Sequence, residues 1–101
     1  MNVRIVHLRI KAGFGDTFKR VYSVELLPIM RAQPGFIFSY LYQSAEDDTD
    51  CLSVTGWKER GDFDFFRGSS SYKEYAEKVR PFIDTSATRK SYEMVAGGEN
   101  T

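Results

Sequence analysis

The sequence predicts an α+β fold, a four-stranded antiparallel sheet with helices on one face. Three observations predict it. Four short segments alternate with a period of two. Two regions carry apolar residues at steps of three and four. The segments follow one another as β-α-β-β-α-β, the ferredoxin-like arrangement. With 101 residues, one domain is expected, over residues 1–96, followed by a flexible tail at 97–101.

The first strand is VRIVHLRIK, residues 3–11, with Val6, Leu8 and Ile10 on one face and Ile5, His7 and Arg9 on the other. Gly13-Phe14-Gly15 breaks it, and Asp16 is placed to cap a helix. Phe18, Val21, Tyr22, Leu26, Ile29 and Met30 form that helix's apolar stripe, and Pro28 is expected to kink or end it near Leu27. Gln33-Pro34-Gly35 makes a turn. The second strand is FIFSYLYQ, residues 36–43, with Phe36, Phe38, Tyr40 and Tyr42 on one side. The acidic stretch SAEDDTD, residues 44–50, reads as a solvated hairpin tip in preference to a cation site.

The third strand, residues 51–59, sets Leu52 and Val54 opposite Ser53, Thr55 and Trp57. Arg60-Gly61-Asp62 opens a short Phe-rich helix carrying Phe63, Phe65 and Phe66. Ser71 with Glu74 fits a capping box for a further helix that ends near Pro81. A fourth strand covers RKSYEMV, residues 89–95. Large residues remain on both faces of such a sheet. An uncovered apolar sheet face implies a partner, most simply a second copy packed sheet on sheet.

Charge and composition exclude several classes. Fourteen basic residues balance fourteen acidic ones, so nothing suggests nucleic acid or an anionic membrane as partner. One cysteine, Cys51, permits no intrachain disulfide, which points to the cytoplasm. Cys51 and the single histidine, His7, fall short of a four-ligand zinc site, and no metal is expected. No apolar run approaches the roughly 20 residues of a membrane span. The chain contains 8 Phe, 6 Tyr and 1 Trp, more ring surface than a core this small needs, which implies an aromatic pocket or interface.

The element order, with Gln33-Pro34-Gly35-Phe36 opening the second strand, Gly56-Trp57-Lys58 closing the third, and the Asp62-Phe63-Asp64-Phe65-Phe66 and Ser69 to Tyr72 segments after it, resembles the antibiotic biosynthesis monooxygenase family. The resemblance spans residues 3–95. It implies a homodimer whose two sheets form an α/β barrel, with a pocket in each protomer between sheet and helices. It also implies cofactor-independent oxidation of a planar phenol, quinol or anthrone-like small molecule by O2. Phe66 and Ala76 fall where the haem-degrading branch carries a tryptophan and its proximal histidine. Alanine cannot bind iron, so haem degradation is disfavoured and no cofactor is expected.

His7 is the candidate base, since an imidazole titrates near pH 6.5. The competing reading is a satisfied buried or interface histidine. Tyr72 and Arg67 complete the candidate catalytic set, as hydroxyl donor and anion stabiliser. Ile5, Arg9, Tyr22, Trp57 and Phe66 are the candidate substrate contacts, Trp57 either stacking on a planar ligand or packing the core. No catalytic triad, phosphate loop or carboxylate pair is present. A non-catalytic binding or dimerisation module of the same fold is therefore the alternative to an enzyme.

Overall fold

The computed structural model describes residues 1–84 and 88–100. Strand β1 (Asn2–Arg9) is followed by helix α1 (Gly15–Val21), a π-helical turn (Tyr22–Leu26) and helix α2 (Leu27–Arg31) without a break. Strands β2 (Phe36–Gln43) and β3 (Asp50–Trp57) form a hairpin. Helices α3 (Arg60–Arg67) and α4 (Ser70–Val79), a 3-10 turn (Arg80–Phe82) and strand β4 (Thr88–Glu93) complete the order. The sheet runs β2-β3-β1-β4, and every pairing is antiparallel. This is the expected ferredoxin-like topology.

Alternation along the central strand β1 divides the sheet into two faces. Arg4, Val6 and Leu8 point to the helices, and their β3 partners there are Thr55, Ser53 and Cys51. Val3, Ile5, His7 and Arg9 point the other way, with Leu52 and Val54 of β3. The helices cover only the first face. Its apolar residues gather in two clusters. One centres on Leu8, Ile10, Phe18 and Leu26, the other on Trp57, Phe63, Phe66 and Met30.

Several local expectations give way. The helix does not stop at Pro28. The Leu27 N–H bonds the Tyr22 carbonyl, five residues back, and this wider turn precedes the proline and absorbs its missing donor. Asp16 is not the N-cap. Phe14 holds that position by its backbone, and Asp16 lies in the first turn, paired with Lys19 at 3.1 Å. The cap of α4 is Ser69, not Ser71: its hydroxyl accepts from the Tyr72 N–H at 3.2 Å. The strict alternation expected of β2 is broken by a bulge between Phe36 and Phe38. Phe36 turns inward against Trp57, with ring centroids 5.7 Å apart, while the Phe38 ring lies over Gly56 on the outer face. The acidic hairpin behaves as a solvated tip. Asp47 is held down at about 2 by the Thr49 hydroxyl and N–H and by Arg9.

Gly35 links α2 to the sheet at φ +78°, and its carbonyl accepts from the Lys58 N–H at 2.7 Å. An added Cβ there would meet Asp62 Oδ2 at 1.9 Å. Asp62 is the carboxylate that accepts from the Glu59 N–H in the capping box of α3. Gly35→Ala therefore combines backbone strain with a disturbed cap and is expected to cost about 2 kcal/mol in chemical denaturation.

Candidate functional site

The two apolar clusters do not meet completely. Between them lies a cavity of about 330 Å³, at the lower end of small-molecule sites. The gap follows from the inner stripe of β3. Ser53 and Thr55 stand between Cys51 and Trp57, where larger apolar side chains would have filled the space. Phe18 and Leu8 bound one end; Phe63, Phe66 and Met30 bound the other. Tyr72, Tyr75 and Val79 of α4 close the helix side. The Tyr72 and Tyr75 rings stack on each other at 6.1 Å, and both meet Phe66 edge to face, at 5.3 and 5.8 Å.

The polar groups come from both sides: Arg4, Ser53, Thr55 and Arg89 from the sheet, and Tyr72, Tyr75 and Arg80, the last paired with Glu77, from the helix side. The Tyr22 hydroxyl hydrogen-bonds those of Ser39 and Ser53, the latter at 3.2 Å. Burial pushes the Tyr22 phenol up, against the pull of those two serines, and pushes Tyr75 up further. Both therefore remain protonated donors and do not serve as bases. Arg4 rests its guanidinium over the Phe63 ring, 3.8 Å from the centroid, and its Nε is buried without a hydrogen-bond partner. Arg89 of β4 lines the cavity beside it, on the exposed edge strand. Burial, then the charges of Arg67 and Arg89, pull the Arg4 pKa down, opposed by Tyr72 and Asp64.

The expected site residues divide into three groups. Tyr72 and Phe66 line the cavity. Tyr22 and Trp57 support its walls, Tyr22 through Ser53 and Trp57 stacked behind Phe66 at 5.8 Å. The Trp57 indole donates to Thr55 Oγ1 at 2.9 Å and is fully buried, so its ring packs the core and presents no face to a ligand. His7, Ile5 and Arg9 lie on the opposite face of the sheet. His7 pairs with Asp50, and Arg9 with Asp47 and Thr49. The sheet thus separates His7 from Tyr72, and an imidazole base acting on a molecule beside Tyr72 is not what this geometry assembles. Arg67 is exposed at the end of α3 and reaches the cavity only through its field on Arg4.

Sequence reasoning passed over Arg4, Arg89, Ser53 and Tyr75. Arg4 had a visible signal: a charged residue in register with Val6, Leu8 and Ile10 on an otherwise apolar stripe.

With this geometry in view, the comparisons with known proteins place the chain. The family model for antibiotic biosynthesis monooxygenases matches residues 1–78, and the chain belongs to that family. No curated protein sequence matches it. Among solved structures, a Bordetella bronchiseptica protein named for the same family superposes with a TM-score of 0.86 at 17% identity, covering 94% of this chain and 97% of that one. A Nitrosomonas europaea protein named likewise gives 0.79 at 22% identity, over 95% of this chain and 100% of its own. SnoaB, a cofactor-independent oxygenase from Streptomyces nogalater, gives 0.80 at 16% identity, over 95% of each chain. At these identities the likeness establishes the fold. Among the described residues, no helix is long and apolar enough to cross a membrane.

An orphaned, partly desolvated guanidinium is a cost to the unliganded protein. Arg4→Met, which keeps the apolar stem over Phe63 and removes the charge, is expected to raise stability by about 1 kcal/mol in urea unfolding. Destabilisation by the same variant would mean that Arg4 is satisfied in the free protein.

Proposed function

We propose that this chain is a cofactor-independent monooxygenase that oxidises a planar phenol, quinol or anthrone-like molecule with O2 in the cavity between sheet and helices. The observation that carries the reading is the cavity itself, an aromatic slot with the Tyr72 hydroxyl on its helix side and the Arg4 guanidinium on its sheet side. The rings of Phe63, Phe66 and Tyr72 suit a flat substrate. The Tyr72 hydroxyl and Arg4 suit a substrate oxygen on which negative charge develops.

Among the described residues, the lining includes no carboxylate or imidazole. Deprotonation in this reading is driven by the cationic wall, which lowers the substrate's own pKa so that water takes the proton. The resulting enolate is electron-rich enough to react with O2 directly. Its carbon bonds to oxygen, and the hydroperoxide loses water to leave a carbonyl. One oxygen atom enters the product and the other leaves as water, so no external reductant is consumed. The apolar walls keep bulk water from the intermediate.

The lack of a base in the lining favours a second reading, a non-catalytic binding module of the same fold. Oxygen uptake separates the two. The enzyme reading expects uptake above autoxidation with at least one of a panel of anthrones, naphthols and hydroquinones. Arg4→Met is then expected to lose roughly 100-fold in kcat/KM, while His7→Ala stays within about twofold, the scale of a surface change. Specific binding of these compounds without uptake would favour the module.

We further propose a homodimer through the outer sheet face. Tyr40, Tyr42, Leu52 and Tyr92 are exposed there, around Ile5 and Val54, an apolar surface that a second sheet would cover. In sedimentation experiments the protein is expected to run as a dimer, and Tyr40→Glu with Leu52→Lys as a folded monomer. A wild-type monomer at micromolar concentration would contradict the proposal.

A further inference from the structure

Two positive side chains share one wall of the cavity, although oxidation of a phenol or enol requires stabilising only one developing negative charge. Arg4 pairs with Ser91 across the β1–β4 ladder, and Arg89 lies two residues further along the same face of β4. That diagonal places their Cβ atoms roughly 7 Å apart, close enough for both guanidiniums to reach one group. Among the described residues, neither has a carboxylate at ion-pair distance; the ion pairs are made by other residues. Glu93, the nearest acid along β4, accepts instead from the Asn2 side chain at 2.9 Å. Asp64 favours the charge on Arg4 without pairing with it.

Arg67 and Arg89 both lie close enough to Arg4 for their charges to act on it, as does Asp64. The acidic hairpin tip stands near the far end of β1, about 16 Å from Arg4 along the strand. Where the described residues give Arg4 and Arg89 no ion pair and put no acid in the lining, the counter-charge comes from what the cavity binds.

We infer that the cavity selects planar aromatic molecules bearing a permanent carboxylate, held by Arg4 and Arg89 with the ring system between Phe66 and the β3 wall. Arg4 lines the cavity and has no ion pair among the described residues, and a guanidinium offers the planar fork that matches such a carboxylate. The inference rests on reading this cavity as the substrate site, and it names the recognition group that the oxygenase reading leaves open. It does not depend on turnover.

Calorimetry under nitrogen tests it with 2-naphthoate and its uncharged isostere, 2-naphthamide. The naphthoate is expected to bind roughly tenfold or more tightly, as hydrogen bonds to a charged group imply. That preference should vanish in Arg4→Met and shrink in Arg89→Met, while Arg4→Lys retains part of it. Arg89 stands on the exposed edge strand, so its variant keeps the test informative even if Arg4→Met fails to fold. Equal binding of acid and amide, no measurable naphthoate binding in the millimolar range, or a preference unchanged in both variants would overturn the inference. Oxygen uptake in the same preparations is a separate readout. A carboxylate preference without uptake removes the oxygenase reading and leaves this one standing; uptake with uncharged substrates and no preference does the reverse.

Discussion

The pleat of the central strand organises this molecule. β1 is paired on both sides, so its register is fixed by two ladders, and successive side chains are committed to opposite faces. One face carries Arg4, Val6 and Leu8 into the space beneath the helices. The other carries Ile5, His7 and Arg9 out to an open sheet. A shift of one residue would exchange the two sets and place His7 in the cavity and Arg4 outside it. The division of chemistry between the faces therefore follows from backbone geometry alone.

The cavity depends on a second constraint, the size of the residues on β3. Trp57 is clamped by Phe36, Phe63 and Phe66 and anchors one cluster. Leu8, Ile10 and Phe18 anchor the other. Ser53 and Thr55 between them are too small to bridge the gap, and both find partners, Ser53 with Tyr22 and Thr55 with Trp57. Tyr75 packs against both clusters from α4 and keeps the helix layer continuous over the void. The hollow is thus built by satisfied polar groups, with Arg4 as the exception at its edge.

Much of this was legible in the sequence. Period-two segments, the helical stripe and the Phe-rich segment sufficed for the topology and the family, and two of the candidate site residues, Tyr72 and Phe66, line the cavity. Other features were not legible, for physical reasons. The bulge at Phe36–Phe38 leaves no mark in an aromatic run whose two faces look alike. The π turn that accommodates Pro28 depends on where the preceding carbonyls bond, which spacing does not encode. His7 drew attention as the sole imidazole, but chemical rarity says nothing about which face of a strand a residue occupies. The better signal was the one charge on the apolar stripe of β1, whose meaning depended on knowing that no acid stands opposite.

The proposed chemistry lies on the helix-covered face of the sheet, and the proposed association uses the open face. A crystal structure of the protein with an air-stable anthraquinone tests this most directly. The rings are expected in the cavity against Phe66 and Tyr72, with a quinone oxygen within hydrogen-bond distance of Arg4. An anthraquinone bound on the outer face beside His7 and Asp50, with the cavity unchanged, would contradict it.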